Sequence, residues 1–342
     1  MNTPFQLYAR SQTTDENGFA TRFAGAQDQI RKDPYRIGLP PVELGKRFIQ
    51  MRMPFETEFW VAENSSGAPL GRIAANLSAR FPNTGFIGFF EGQSFSVANA
   101  LVQEALSWLK KRGVDEVYGP VNFNTWLPYR FRIHPDSSPV FAWEPINPPE
   151  YPIWFGEMGF SADHLYHSDG LDGLNGILEG TSKDYEKALK AGYTFRPADT
   201  EALLEKEVPI LYKLSMPSFR ENFLFEPVPY EFFKQLYVPL AKKADVSLAR
   251  FACDPQGNEV AFFFNFKEGN SMVSKTVGVL PQARGLGLSN AMLHSAAQAA
   301  IEQGLSGSVM ALMKSGIQSE SYGKKQNRIW RHEYVLFKKE LR

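Results

Sequence analysis

The chain has 342 residues, too many for one typical domain and enough for two of ordinary size. Apolar residues make up 43% and charged residues 22%, the balance of a folded globular chain rather than a disordered or fibrous one. Lys+Arg and Asp+Glu are equal at 37, so no global field draws the chain to nucleic acid or to an anionic membrane, and neither is expected as a partner. In chain order, the start through Arg10 (PFQLYAR) reads as a first strand. Asp15 to Pro54 is helical but punctuated by Pro34, Pro40 and Pro41. Glu58–Glu63 (EFWVAE) and Leu70–Ala79 form a hairpin around NSSGAP, and Thr84–Glu91 (TGFIGFFE) is a further strand. Phe95–Arg112 is amphipathic, with Val97, Leu101, Leu106 and Leu109 inward and Gly113 as its stop, and DEVYGPV returns as a strand.

The second half repeats that order. Gly192–Arg196 is a strand, and Thr200–Leu214 and Tyr230–Lys242 are helices. Ser247–Cys253, Glu259–Lys267 and Ser271–Leu280 are three strands, the first two joined by DPQGN. Ser289–Gln303 is a helix, Ser308–Met313 the next strand and Ile329–Lys339 a closing one. Two copies of one α+β plan, of the three-layer type in which helices flank a mixed sheet, therefore fill most of the chain. The expected division is 1–169, a link over 170–190 in which Gly170, Gly173, Gly176 and Gly180 suggest loose packing, and 191–342.

The stretch that carries chemistry is NSMVSKTVGVLPQARGLGLSNAMLHSAAQAAIEQG. Val273, Val277 and Val279 suit a pleated strand, and Pro281 ends its ladder for want of an N–H. Gly285 and Gly287 then lead into a helix whose start leaves backbone N–H groups unpartnered at the positive end of its dipole. Glycines remove the side chains that would block an anion, so Gln282–Leu288 suits a phosphate or diphosphate. GLGLSN lacks the third glycine of a dinucleotide fingerprint, and no Gly-Lys-Ser/Thr of a P-loop is present.

The stretch resembles motif A of the GNAT acyltransferase superfamily, Gln/Arg-x-x-Gly-x-Gly/Ala, with Gln282, Gly285 and Gly287 in its places. The order of elements is similar to the GNAT fold twice over, and YPIWFGEMGF is similar to the family's helix ending in Gly-Phe. The resemblance implies an acyl-CoA co-substrate, most simply acetyl-CoA, and no metal. Its pantetheine arm would pair with Val277, Gly278 and Val279. Its diphosphate would lie on Gln282, Ala283, Arg284, Gly285, Leu286, Gly287, Leu288 and Ser289. The first half has GQSFSVAN between strand and helix in place of the motif, so a degenerate, non-binding copy is expected there. The family often uses a tyrosine after its fifth strand as the acid. Tyr322 has suitable spacing, though Ser315 stands where the family usually has Asn. A phenol, with an ordinary pKa of about 10, is protonated at neutral pH and can donate. A tyrosine packed at a helix end is the alternative.

Other residues invite blander readings. No Asp or Glu lies within Ser271–Leu280 to serve as base, and Glu259 reads as a solvated strand end. Asp163, His164 and His167 are metal-like in DHLYH, but on a strand the two histidines face opposite ways. His294 reads as a helix-surface or core-edge residue, and nothing near His134 orients it as a base. Cys253 reads as packing rather than a nucleophile. As the only cysteine it cannot form an internal disulfide, which fits a reducing cytoplasm. Ser289 and Asn290 read as helix caps. From Lys314 onward there are eight Lys/Arg against three Asp/Glu, a sign that suits coenzyme A but equally a solvated face. Trp126, Tyr129, Phe131, Phe141, Trp143, Tyr151 and Trp154 read as core, or else as the wall of an acceptor pocket. MNTPFQLYAR lacks a signal-peptide core, and no apolar run is long enough to span a bilayer. The expected activity is acyl transfer from an acyl-CoA to a primary amine on a small molecule or peptide. A non-catalytic module on the same fold is the alternative, and an aminoacyl-tRNA-dependent transferase a third reading.

Overall fold

Near-continuous apolar runs in the first half, as in FWVA of EFWVAE and IAA of PLGRIAANL, suit strands buried on both faces, and both stretches are buried along almost their whole length. The computed structural model describes residues 4–36, 42–50, 53, 55–78, 80–241, 244–316 and 327–341. Their elements are β1 (Phe5–Ala9), α1 (Glu16–Ile30), α2 (Val42–Gln50), β2 (Thr57–Asn64), β3 (Pro69–Leu77), β4 (Thr84–Gly92), α3 (Phe95–Lys110), β5 (Glu116–Gly119), β6 (Phe131–Ile133), α4 (Glu150–Glu157), β7 (Ser161–Asp172) and α5 (Asn175–Lys190). Then come β8 (Thr194–Pro197), α6 (Val208–Ser218), α7 (Tyr230–Ala241), β9 (Arg250–Cys253), β10 (Glu259–Glu268), β11 (Ser271–Val279), α8 (Leu288–Glu302), β12 (Gly307–Lys314) and β13 (Arg328–Glu340).

The chain divides into two compact units, and the C-terminal strand is shared between them. The first unit takes in the residues up to Ser137, then Ala142–Leu165 and the stretch from Glu333 on; the second holds Ser138–Phe141 and Tyr166–His332. In the first unit β1 to β4 pair antiparallel in succession, β4 runs parallel to β5, and β5 pairs antiparallel with the end of β13, as in Phe337↔Gly119. Asp15 caps α1, its carboxylate accepting from the Gly18 N–H at 2.8 Å. Val97, Leu101, Ala105 and Leu109 of α3 pack with Ile73, Ala75, Ile87, Tyr151 and Phe155 as one core. Burying each large apolar side chain there contributes about 1.5–3 kcal/mol. On the other face, Phe19 stacks on Phe23 of the same helix α1, and Phe23 meets Phe59 and Phe89 edge-on.

In the second unit the strand order runs β7, β12, β11, β10, β9, β8. Only β11 and β12 are parallel. The alanines of α8 are the small side of a close contact with α5: Ala291, Ala296, Ala297 and Ala300 share a core with Ile177 and Ala188 and with Ala261, Phe263 and Met272 of the sheet. Leu214, Phe251 and Phe262 cover the opposite face with α6.

The link expected over 170–190 is not loose chain. β7 runs to Asp172, α5 begins at Asn175, and a Cβ on Gly170 would collide with the Trp330 ring. Gly170 serves close packing and Gly173, at φ +81°, the entry to α5, while a Cβ on Gly180 would meet nothing within 4 Å. The closing strand was expected to belong wholly to the second copy, but from Glu333 it completes the sheet of the first unit.

Candidate functional site

β11 and β12 begin as a parallel pair and then part. Their register runs Ser271↔Gly307, Met272↔Ser308, Val273↔Val309 and Ser274↔Met310, and ends there. The register of β11 on its other neighbour shifts at the same level: Phe264 lies opposite Thr276 and Asn265 opposite Ser274, so Lys275 is an extra, bulged residue. Beyond it Thr276–Val279 stay on β10 and leave β12, opening a fork.

The far end of the β11 arm carries the glycine loop. Pro281–Ala283 make one 3-10 turn, and Gly285 (φ +79°) and Gly287 (φ +76°) take the left-handed conformation that glycine adopts without penalty. Gly287 is the N-cap of α8, and no side-chain oxygen caps that end. The first N–H groups of a fifteen-residue helix are thus presented at a loop whose Gln282, Arg284, Gly285 and Leu286 are exposed. Around Gly285 there is open space; a Cβ there would meet nothing within 4 Å.

The residues singled out from sequence divide into two sets. Val277, Val279, Gly287 and Ser289 are half-buried beside the fork and loop. Gly278, Ala283 and Leu288 are buried: a Cβ on Gly278 would strike the Phe262 ring, and Ala283 and Leu288 belong to the α8 core. These three have only backbone to offer a ligand, and their side chains fix the loop to the domain. Ser289 and Asn290 do not cap α8, since glycine already occupies the N-cap and Asn290 donates to Asp184 on α5 at 2.5 Å. Arg284 is held away from the helix end, donating to Glu221 Oε2 at 2.6 Å and to the Ser218 carbonyl at 3.0 Å. Tyr322 lies outside the described residues.

Residues 180–314 match the family model of the acetyltransferase (GNAT) domain. The second unit carries a GNAT domain. This matched segment contains the fork, the glycine loop and α8, and acyl transfer is the class of activity it supports. The chain as a whole has the tandem GNAT fold. It superposes on a tandem GNAT protein of the clavulanic acid biosynthesis pathway with a TM-score of 0.55 at 12% identity, covering 98% of each chain. A GCN5-related N-acetyltransferase of Sphaerobacter thermophilus gives 0.51 at 14% identity, over 100% of this chain and 98% of that one. The glucosamine N-acetyltransferase region of a fungal multi-domain GH3 β-N-acetylglucosaminidase gives 0.57 at 16% identity over 99% of this chain, which spans 38% of that protein's length. At these identities the likeness is one of fold. No curated protein sequence matches the chain.

The corresponding fork of the first unit is bridged by the chain itself. β4 and β5 pair only from Thr84↔Glu116 to Phe86↔Tyr118. Past that point the Val121 N–H donates to the Ile87 carbonyl at 2.7 Å and the Phe89 N–H to Asn122 Oδ1 at 2.6 Å. A Cβ on Gly88 would collide with the Val121 carbonyl and meet Asn122 N at 2.8 Å. The helix that follows, α3, has its own cap in Ser94. Where the GNAT domain has its loop, the first unit ends β4 on a closed ionic centre. Glu91, 1% exposed, is paired with Arg31 at 2.8 Å and accepts from the Tyr151 hydroxyl at 3.0 Å. Burial first, and then the Glu91 carboxylate, push the Tyr151 phenol well above its ordinary range.

The remaining candidates have structural partners. Glu259 is ion-paired with Arg196 at 2.9 Å rather than a free strand end. Cys253 is buried, and burial raises its thiol, the reverse of what a nucleophile needs. His294 stacks on Tyr185 at 4.4 Å between α8 and α5, with Nδ1 3.0 Å from Thr181 Oγ1. Phe131 and Tyr151 of the aromatic series are core residues. No group of three or more metal-ligating side chains occurs among the described residues. Two features escaped the reading of the sequence. Asp184 faces the glycine loop from α5, in the stretch where the sequence predicts a link. Ser315 and His167, 148 positions apart, are joined by a 3.2 Å hydrogen bond.

Proposed function

We propose that the GNAT domain transfers an acyl group, most simply acetyl, from acetyl-CoA to a primary amine of a small molecule or peptide. The observation that carries this reading is the conjunction of a parted β11–β12 pair with an uncapped, glycine-lined helix start at the end of one arm. An extended pantetheine arm has backbone groups of Thr276–Val279 to pair with, as a strand would, and the donor's diphosphate fits the N–H groups beside Gly285 and Gly287. Holding the thioester there turns the amine's attack on its carbonyl into a local event; the nitrogen loses a proton and the departing thiolate gains one. Tyr322 is the proposed acid for the thiolate, on the resemblance of its spacing alone. The bridged fork of the first unit supports a non-binding role for that copy.

Calorimetric titration with acetyl-CoA and with free coenzyme A tests the proposal. One site per chain is expected for both, abolished by Gly287→Glu in a variant that still unfolds cooperatively. Absence of binding by the wild type, or retained binding in the folded variant, refutes it.

A further inference from the structure

The glycine loop offers an anion its backbone N–H groups, but the charged side chains beside it are arranged differently. Arg284 is the only cation between Gln282 and Ser289. Its guanidinium is engaged with the end of α6, donating to the Ser218 carbonyl at 3.0 Å and to Glu221 Oε2, just past that helix, at 2.6 Å. A cation is favoured at the C-terminal end of a helix, so the position suits Arg284 without any ligand.

A carboxylate from α5 stands against the same loop. Asp184 Oδ1 lies 2.7 Å from the place a Cβ would take on Gly287, the N-cap of α8. Both residues are half-buried, and both belong to the second unit. Asp184 does not cap the helix through its backbone: its hydrogen bond comes from the Asn290 side chain, Nδ2 to Oδ2 at 2.5 Å. No described Lys or Arg is ion-paired with it. The charge is therefore neither neutralised by a cation nor taken up by the N–H groups of α8, and it reaches the loop through its field. At the positive end of the helix that field stabilises the unliganded start of α8. It opposes a second anion at the same place. A diphosphate on the N–H groups beside Gly287 would lie well inside one Debye length of Asp184, which is about 10 Å at 0.1 M salt.

We propose that Asp184 sets how tightly the GNAT domain holds its donor: the carboxylate is a resident counter-charge for the start of α8, and it weakens the hold of the loop on a diphosphate. This rests on the acyl-transfer reading above. The diphosphate is common to the acyl-CoA that enters and to the coenzyme A that leaves, so Asp184 loosens both alike. Such uniform weakening raises KM for the donor and shortens the stay of the product, without changing the stabilisation of the transition state relative to the bound donor. No bond forms or breaks through Asp184; it acts on the charge of the ligand. A purely structural role, in which Asp184 only steadies the loop through Asn290, predicts the opposite sign, since removing its charge would then loosen the site and lower affinity.

Calorimetric titration with coenzyme A and with 3′-dephospho-coenzyme A compares the wild type with Asp184→Asn and Asp184→Ser, both neutral and both with an oxygen for Asn290. Glu302→Gln, the same change of charge at the other end of α8, about 20 Å away, is the control. Both Asp184 variants are expected to bind coenzyme A about 10-fold more tightly than the wild type at low salt. Screening should reduce that gain to about threefold at 0.3 M salt. The dephospho compound should show the same gain, because the effect is exerted on the diphosphate, and Glu302→Gln should stay within about twofold of the wild type. Unchanged or weaker binding in Asp184 variants that still unfold cooperatively, or a gain that does not fall with salt, would overturn the proposal and leave the acyl-transfer reading standing. Binding by none of the proteins would refute the acyl-transfer reading, and the role of Asp184 with it. Binding by the Asp184 variants alone would support both.

Discussion

Gly287 is the position where backbone conformation and packing together leave least room. It caps α8 at φ +76°, and a Cβ built on it would lie 2.7 Å from Asp184 Oδ1, 2.8 Å from Cγ and 3.0 Å from Cβ. For Gly287→Ala the left-handed backbone alone costs roughly 1–2 kcal/mol. The methyl group also pushes Asp184 aside, at the expense of its bond from Asn290; a hydrogen bond to a charged group contributes about 1.5–3 kcal/mol, of which a shift of the side chain forfeits part. The sum is a destabilisation of about 2–4 kcal/mol, read as a lower urea midpoint at unchanged slope. The steric share is separable. Asp184→Ala removes the two nearest atoms, so the double variant should be more stable than the sum of the single losses predicts, with a coupling of about 1–2 kcal/mol. A cycle additive to within about 0.3 kcal/mol would show that α5 does not press on the loop in solution, and would refute the reasoning.

Two further predictions concern buried charge. Glu91→Gln in the first unit removes the carboxylate paired with both Arg31 and Arg72 in a buried site, and should cost about 3–5 kcal/mol by urea unfolding; a loss under about 1 kcal/mol would mean the centre is solvated. At His294, burial lowers the imidazole pKa, partly offset by the Leu178 backbone and Glu186. The unfolded chain, titrating at about 6.5, therefore binds this proton more readily than the folded one, and stability falls as pH drops below that value. His294→Gln should flatten the fall in stability between about pH 7 and pH 5, and identical slopes in the two proteins would show that His294 remains neutral in both states or protonates without cost.

What could be read from the sequence was local. The strand, loop and helix from Ser271 to Glu302 follow from β-branched residues, a proline that cannot donate, two glycines and a run of alanines, and each acts within a few residues of itself. The two-fold plan was legible for the same reason, because a repeated order of elements needs no knowledge of what packs on what. Pairings across long sequence distances were not legible. Glycines at 170–180 look like a flexible link until Trp330 is seen to leave no room for a side chain at Gly170, and Ile177 and Ala188 of α5 to pack on α8. The caps assigned to Ser289 and Asn290 failed because a left-handed glycine had already taken the N-cap, and Asn290 was drawn to Asp184, 106 positions away. That β13 would complete the first unit's sheet depends on an edge of β5 left open more than 200 residues earlier, as the pair Phe337↔Gly119 shows. His167 and Ser315 carry no shared signal in the chain, since only the bulge at Leu312 turns the end of β12 toward β7. Sequence determined the elements and the anion loop, whose physics is that of one turn of backbone. Tertiary structure decided which side chains meet there, because strand register and helix packing place groups from distant parts of the chain within hydrogen-bonding reach.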